Sequence, residues 1–559
     1  MKRLSGVAAS PGTGVALAYV YTPDLFEIRS EGVADPDKAV AELADALAAL
    51  AADLDEAAAS TSGAAAEILR AQAAIARDPA LRAAAAPAVR SGEQPARAVL
   101  AAGERFATEL ERTGNDYLTA RAPDVRHICD LAARGLAGAP PRLPPRPIEP
   151  CVLVAEDLMP ADTAGLDASL VLGIATESGS RTSHTSVVAR GLGIPAVVGI
   201  RGLLDVVRNG GAIGIDGGAG FIVIDPDAAT QRQLSSAGTE LRARRERMRT
   251  AAGTGPAATA DGQRIEVAAN VRSVKELRSA LAEGAEAVGL LRTELFYIDR
   301  DRPPSLDEQI ALLREMHGML GGRRLIVRTF DIGADKQVPF LPARPERNPE
   351  LGVRGIRLAE LHPELLDTQL RAVAATAALG PTAVMAPMVT TADEARWFRS
   401  RVVASGMPDV VEVGVMVEVP ALALTAEELA GCVDFVSIGT NDLTQYLMAA
   451  DRREADLGGF QDPFVPALLR AVAMVCRAGA RRFWIGVCGE AAADPAWALL
   501  AVGLGVTELS MQADTIPAVR AALRGVTLDA CRDAAMLALK ATDPDQARGI
   551  ARALLKESP

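Results

Sequence analysis

The sequence predicts a multidomain α/β protein whose C-terminal half is a (β/α)8, TIM-like barrel. Three observations carry that prediction. Eight short apolar runs recur between residues 265 and 512, mostly with helical segments between them, which is the rhythm of a parallel barrel. Strand-like runs also stand on both sides of a long helical stretch near the N-terminus, as they do when a helical unit is inserted into an α/β domain. Finally, 559 residues exceed what one hydrophobic core ordinarily serves.

Composition narrows the partners. With 49% hydrophobic and 23% charged residues the chain is globular. A formal charge of −12 argues against nucleic acid, because phosphate backbones are bound by an excess of Lys and Arg; a local basic patch for a small anion is compatible with it. Six cysteines without CxxC spacing predict reduced thiols and a cytoplasmic location. The N-terminal MKRLSGVAASPG lacks an apolar core of signal length, and no run of about 20 apolar residues predicts membrane insertion.

Residues 1–20 read as strand and turn, with GVALAYVY following the Pro-Gly turn SPGTG. From 34 to 136 the chain turns to Ala, Leu, Glu and Arg with helical periodicity, as in AVAELADALAALAADLDEAA. Several such segments, broken at Asp-Pro and Ser-Gly, predict a packed helical bundle over 30–140. The proline-rich AGAPPRLPPRPIEP is a connector. CVLVAEDL, SLVLGIAT, AVVGI, GAIGIDG and FIVIDP then return to short strands with one helix after His184, so 1–20 and 145–225 form one α/β domain around the inserted bundle. Residues 228–250 read as a charged helix and AAGTGPAATADG as a flexible linker, which together make 226–260 a connection to a barrel domain over 261–559. Its strands are IEVAAN, AVGLLRTE, LIVRTFD, AVMAPMV, EVGVMVEVP, FVSIGTND, FWIGVCGE and ELSMQ.

Barrel chemistry sits at the C-terminal strand ends. Those ends carry Asn270, then Arg292 and Glu294, Arg328 and Asp331, Glu418, Asn441 and Asp442, and Cys488 and Glu490. Arginines and carboxylates at successive ends outline a site for a multiply charged anion together with a hard cation. Glu418 and Asp442 suit Mg2+, which takes a few carboxylates plus water and substrate oxygens. Arg292 and Arg328 can each hold a phosphate or carboxylate in bidentate fashion. Cys488, in VCGE, is either a small buried apolar group or a thiol able to donate a proton at the barrel mouth.

His184 stands in ESGSRTSHTSVVARGLGIPAVVGI, between a Gly-Ser turn and an apolar run. Gly173, Gly179, the loop serines and a helix start at His184 predict a cup of backbone N–H groups for an anion. Imidazole there can attack a phosphoryl group, with the new charge stabilised by the helix N-terminus and Arg181; it can equally cap its own helix.

SRTSHTSVVARGLGIPAVVG resembles the phosphohistidine motif of enzyme I of the phosphoenolpyruvate:sugar phosphotransferase system. LLRTELFYID, VRTFDIGADKQVPF, NPELGVRGIRL, GVMVEVPA, SIGTNDLTQYLMAADR and GVCGE resemble its barrel motifs in the same order. The resemblance implies that His184 takes the phosphoryl group of phosphoenolpyruvate, releasing pyruvate, and passes it to the phosphocarrier protein HPr. It implies catalytic roles for His184, for Cys488 as proton donor to enolpyruvate, and for Thr163 in steadying the imidazole. The implied substrate-binding residues are Arg292, Arg328, Asn441, Asp442 and Arg452, with Lys336 and Arg354 nearby. The implied cofactor is Mg2+ on Glu418 and Asp442. It further implies that the 1–20 and 145–225 domain swivels about 226–262, that the 30–140 bundle binds HPr, and that the barrel forms a homodimer. Ser180 departs from the family's usual glycine, and serine suits that position unless φ must be positive. AQAAIARDPAL in the bundle is more alanine-rich than the family's pattern. A dikinase or synthase of the same superfamily would need an ATP-grasp domain that 34–136 is too short and too helical to supply. A non-catalytic scaffold is the other competing reading, and the complete set of chemical residues argues against it.

Overall fold

In the computed structural model, described residues are all but 23–25, 27, 29–32, 60–63, 113–120, 140–144, 146, 159, 164–165, 168, 180–182, 254, 299, 301, 334–337, 343–345, 453–454 and 557–559. The chain divides into two compact units, Met1–Ala243 and Arg244–Pro559. Among the described residues no helix is long and apolar enough to cross a membrane.

The first unit is built on an eight-stranded sheet. Its strands are β1 (Lys2–Ser5), β2 (Val7–Ser10), β3 (Thr13–Tyr21), β4 (Cys151–Ala155), β5 (Val171–Thr176), β6 (Ala196–Val198), β7 (Ala212–Asp216) and β8 (Phe221–Ile224), in the order β1-β8-β7-β3-β4-β5-β6-β2. Its centre, β3 to β6, is parallel. β4 is buried at every position, as a strand covered on both faces must be. Leu153 and Ile174 pack on one side, Val152 and Ala175 on the other. β3 and β4 are neighbours in the sheet, with Leu17 opposite Cys151. Between them the chain forms the helices Pro36–Ala59, Ala64–Arg77, Pro79–Arg90, Pro95–Arg112 and Ala122–Ala137, which enclose their own core around Leu43, Val89, Val99 and Cys129. The Asp-Pro break works as predicted: Asp78 Oδ1 accepts the Ala80 N–H at 2.8 Å, with Pro79 at the first helical position.

The second unit is a closed parallel barrel of β9 (Glu266–Val271), β10 (Val288–Arg292), β11 (Leu325–Arg328), β12 (Thr382–Ala386), β13 (Glu412–Val417), β14 (Phe435–Ile438), β15 (Trp484–Val487) and β16 (Glu508–Met511), with β16 pairing back onto β9. These coincide with the eight predicted runs. The barrel is filled by side chains such as Leu290, Ile326, Met385 and Phe435 and is a packed core rather than a pore.

One expectation fails. AAGTGPAATADG is not a free linker. Arg520 donates to the carbonyls of Gly253 and Gly255, Ala257 N–H donates to Glu286 Oε1 at 2.6 Å, and Ala260 N–H to the Val526 carbonyl at 2.8 Å. Small residues read as flexible by composition are here the ones that let arginines and carboxylates reach the backbone. The charged helix predicted before it runs over Ala228–Ala252.

Candidate active site

The barrel's C-terminal mouth holds a cavity of about 610 Å³ lined by Arg292, Arg328, Glu418, Asn441, Asp442 and Cys488 among others. With Arg354 and Arg452, eight of the predicted site residues converge there, from the ends of β10, β11, β13, β14 and β15 or the segments after them. Four arginines and five carboxylates line the wall. An anion would meet no net positive charge there, so it enters favourably only with a cation.

The guanidinium groups differ. Arg328 is buried, with Nη2 2.8 Å from Glu294 Oε1 and Nη1 3.5 Å from Asp331 Oδ2. Burial opposes its charge, but Glu294, Asp331 and Glu418 outweigh that and hold it firmly protonated. Its backbone is fixed from behind: Thr293 Oγ1 donates to the Arg328 carbonyl at 2.8 Å, and Gln369 Nε2 donates to Thr293 Oγ1 at 2.9 Å. Arg354 is fully buried and gripped by Asp331 at 2.8 and 3.2 Å, by Glu350, and by Asp442 Oδ1 at 3.2 Å. Its donors are spent on carboxylates, so it orders Asp331 and Asp442. Arg452 is exposed, with Nη1 3.6 Å from Asp442 Oδ2. Arg292 has no hydrogen-bonded or ion-paired partner among the described residues. Burial, then the neighbouring Arg328, lower its pKa, and both penalties would be relieved by an incoming anion.

Glu418 follows β13 and is 1% exposed. Its Oε1 accepts the Met388 N–H at 2.7 Å. Burial pushes its pKa up to about 7, and the carboxylates of Asp442 and Asp331 push the same way. Burial likewise pushes the Cys488 thiol up to about 12, so near neutral pH it keeps its proton. The Cys488 N–H donates to the Ile438 carbonyl at 3.1 Å. Asn441 Oδ1 accepts the Glu490 N–H at 2.8 Å, which turns its amide nitrogen away from that loop. Lys336 lies outside the described residues.

In the first unit a helix runs over His184–Leu192 with Ser183 as its N-cap residue. Its first turn is anchored by buried Thr185, whose Oγ1 lies 3.1 Å from Asp157 Oδ1 and 3.2 Å from the Leu158 carbonyl. Ser183 Oγ is 3.1 Å from Ser186 Oγ. Thr163 is buried at the end of the short helix Pro160–Thr163, beside Asp162, which accepts the Tyr21 hydroxyl at 2.7 Å. Gly179 has φ +110°, a conformation that favours glycine; Ser180, Arg181 and the His184 side chain lie outside the described residues. Gly173 does not belong to the predicted cup. It is inside β5, where a Cβ would come 2.6 Å from Ile215 Cγ2, so its role is sheet packing.

Sequence reasoning missed Gln369, Thr293 and the Met388 N–H. A glutamine on a helix and a backbone donor carry no local signal of their contact with a strand end far along the chain.

Three family models match consecutive parts of the chain: PEP-utilising enzyme, N-terminal, over 5–121; its mobile domain over 147–220; and its PEP-binding domain over 246–528. The chain is 41% identical over 485 residues to the phosphoenolpyruvate-protein phosphotransferase of Streptomyces coelicolor, covering 86% of each protein. It is 34% identical over 532 residues to that of Bacillus subtilis, covering 92% of this chain and 93% of the relative. It is also 42% identical over 439 residues to the multiphosphoryl transfer protein of Rhodobacter capsulatus, covering 78% of this chain and 53% of that protein; the chain spans about half the length of such relatives. With its barrel matched by the PEP-binding model and relatives aligned over nearly their whole length, the chain belongs to the PEP-utilising enzymes, in the family of phosphoenolpyruvate-protein phosphotransferases.

Proposed function

We propose that this protein takes the phosphoryl group of phosphoenolpyruvate onto His184, releases pyruvate, and passes the group to an HPr-type phosphocarrier. The observation that carries the reading is Arg292, without a hydrogen-bonded or ion-paired partner among the described residues, beside buried Arg328, at a mouth that also holds Glu418, Asp442 and the protonated Cys488 thiol. Phosphoenolpyruvate has the matching parts: a phosphate and a carboxylate for the arginines, and a methylene carbon to be protonated. Arg292 and Arg328 hold the anion, with Asn441 and Arg452 at the rim. Phosphoryl transfer needs positioning and charge stabilisation more than covalent help, and the buried, pre-oriented guanidinium of Arg328 supplies both.

Glu418 and Asp442 fit Mg2+. Burial, and then repulsion from Asp442 and Asp331, raise the Glu418 pKa to about 7, and a divalent cation relieves that repulsion. Two carboxylates with room for substrate oxygens is its usual arrangement. Bound there, the ion would neutralise phosphate charge. Imidazole attacks phosphorus as the P–O bond to the enol breaks. The enolate then takes a proton at its methylene carbon from Cys488, whose thiolate is reprotonated by solvent. Thr163 steadies the imidazole. We also propose a cytoplasmic homodimer formed through the barrel and HPr docking on the helices of residues 36–137.

The test is incubation with labelled phosphoenolpyruvate and Mg2+, comparing the wild type with His184→Ala. Acid-labile, alkali-stable label on the wild type alone is expected. An unlabelled wild type that is folded and supplied with Mg2+ overturns the proposal.

A further inference from the structure

Cys488 follows β15 directly, and both of its backbone polar groups are held. Its N–H donates to the Ile438 carbonyl, on the neighbouring strand β14, at 3.1 Å. Its carbonyl accepts from Asn270 Nδ2 at 2.9 Å, across 218 residues of chain. Asn270 lies on β9, and its Oδ1 accepts from Ser510 Oγ of β16 at 2.7 Å. A carbonyl can only accept, so the amide nitrogen must face Cys488 and the amide oxygen must face Ser510, whose hydroxyl then donates. The orientation of Asn270 follows from chemistry alone. Ser510 is fully buried and cannot exchange this bond for water. At the other end of the same short loop, Glu490 N–H is tied to Asn441 Oδ1 at 2.8 Å. The loop is therefore held on both sides of the thiol, and it packs so closely on Thr440 that a Cβ at Gly489 would overlap it.

We propose that Asn270, set by Ser510, is a positioning residue that aims the Cys488 thiol at the methylene carbon of enolpyruvate. The inference rests on the proposed phosphoryl transfer and adds a residue to it. In the step served, the S–H bond breaks and a C–H bond forms at the enolate methylene, the enolate becoming the ketone pyruvate. The resulting thiolate regains its proton from solvent. Among the described residues the Asn270 side chain hydrogen-bonds Cys488 and Ser510 and none of the substrate-binding arginines or metal-binding carboxylates, so its loss should touch protonation while sparing substrate binding.

The experiment is single-turnover pyruvate formation from phosphoenolpyruvate with Mg2+, in H2O and D2O, for the wild type, Asn270→Asp and Ser510→Ala. Asn270→Asp keeps size and the acceptor for Ser510 but removes the donor to Cys488. Its maximal rate should fall on the order of 10- to 100-fold, the cost of misplacing a reacting group by about 1 Å. The half-saturating phosphoenolpyruvate concentration should stay within about two-fold, and the solvent isotope effect should rise as proton delivery becomes limiting. Ser510→Ala should move the same readings less far, and it keeps the test open if Asn270→Asp does not fold. A wild-type rate, or a loss of rate with weaker saturation and an unchanged isotope effect, overturns the role of Asn270 alone. A folded wild type that yields no pyruvate overturns the proposed function beneath it.

Discussion

At the scale of single residues, the site holds backbone strain behind Glu418. Met388 has φ +61°, a left-handed conformation that is rare for a long side chain, and this conformation points its N–H at Glu418 Oε1, 2.7 Å away. Gly355 makes the turn possible. At φ +57° and ψ −126° it occupies a region open only to glycine, and a Cβ there would lie 3.0 Å from Met388 Cβ and 3.2 Å from the Pro387 carbonyl. Two strained positions thus support one carboxylate. Gly355→Ala is expected to cost about 1–3 kcal/mol and to displace Met388 from Glu418, which a urea titration reads as a lower midpoint, together with weaker stabilisation of the protein by Mg2+. An unchanged midpoint would show that the strain is not held by Gly355.

At the scale of elements, the barrel's two ends solve opposite problems. The N-terminal end gathers Glu266, Glu412 and Glu508, each the first residue of its strand, around Arg324, which also stacks 4.2 Å over Trp484. One guanidinium cannot neutralise three carboxylates. Burial therefore pushes Glu508, the deepest at 1% exposed, up to about 8. A carboxyl whose folded pKa lies above its unfolded one keeps a proton that the unfolded chain has released, so stability falls as pH rises from about 4.5 to about 8. Glu508→Gln keeps the neutral shape at every pH. Its melting temperature should match the wild type near pH 4 and exceed it increasingly up to pH 9, by an amount equivalent to about 3–5 kcal/mol; equal losses at both pH values would mean that Glu508 is charged throughout. None of this cluster was legible in the sequence, because Arg324 meets its partners 58, 88 and 184 residues away. The eight strands were legible, since buried parallel strands read as short apolar runs, and so were the strand-end residues, since barrel geometry turns strand ends into a mouth. What neither the strand-end pattern nor the resemblance could separate was Arg292, without a hydrogen-bonded partner among the described residues, from Arg354, saturated by carboxylates. That difference is made by where Glu350, Asp331 and Asp442 fall in space.

At the scale of the whole molecule, His184 and the barrel mouth belong to different units, and the proposed chemistry needs them to meet. The helix Ala228–Ala252 carries the chain from one unit to the other and, at 1.5 Å per residue, is about 38 Å long. Each end is committed to its own unit. Leu234 is buried and its carbonyl accepts from Thr13 Oγ1 at 2.7 Å, while Arg249 pairs with Glu283 and Ala252 is buried. Gly253, Gly255, Ala257 and Ala260 are bound to the barrel unit, so the expected swivel of the first unit is proposed to pivot N-terminal to them. Deleting residues 238–244 removes close to two turns, about 10 Å, with only about 20° of phase change. Intramolecular transfer depends on the connection spanning both sites and fails when it cannot. The deletion is therefore expected to lower His184 labelling from phosphoenolpyruvate at least about 100-fold while leaving phosphoryl exchange with phospho-HPr near the wild-type rate, because that partner reaches His184 by diffusion. Labelling from both donors, measured side by side, decides the matter: retention of both would mean that reach along this helix does not limit transfer, and loss of both would mean that the first unit itself depends on the deleted turns.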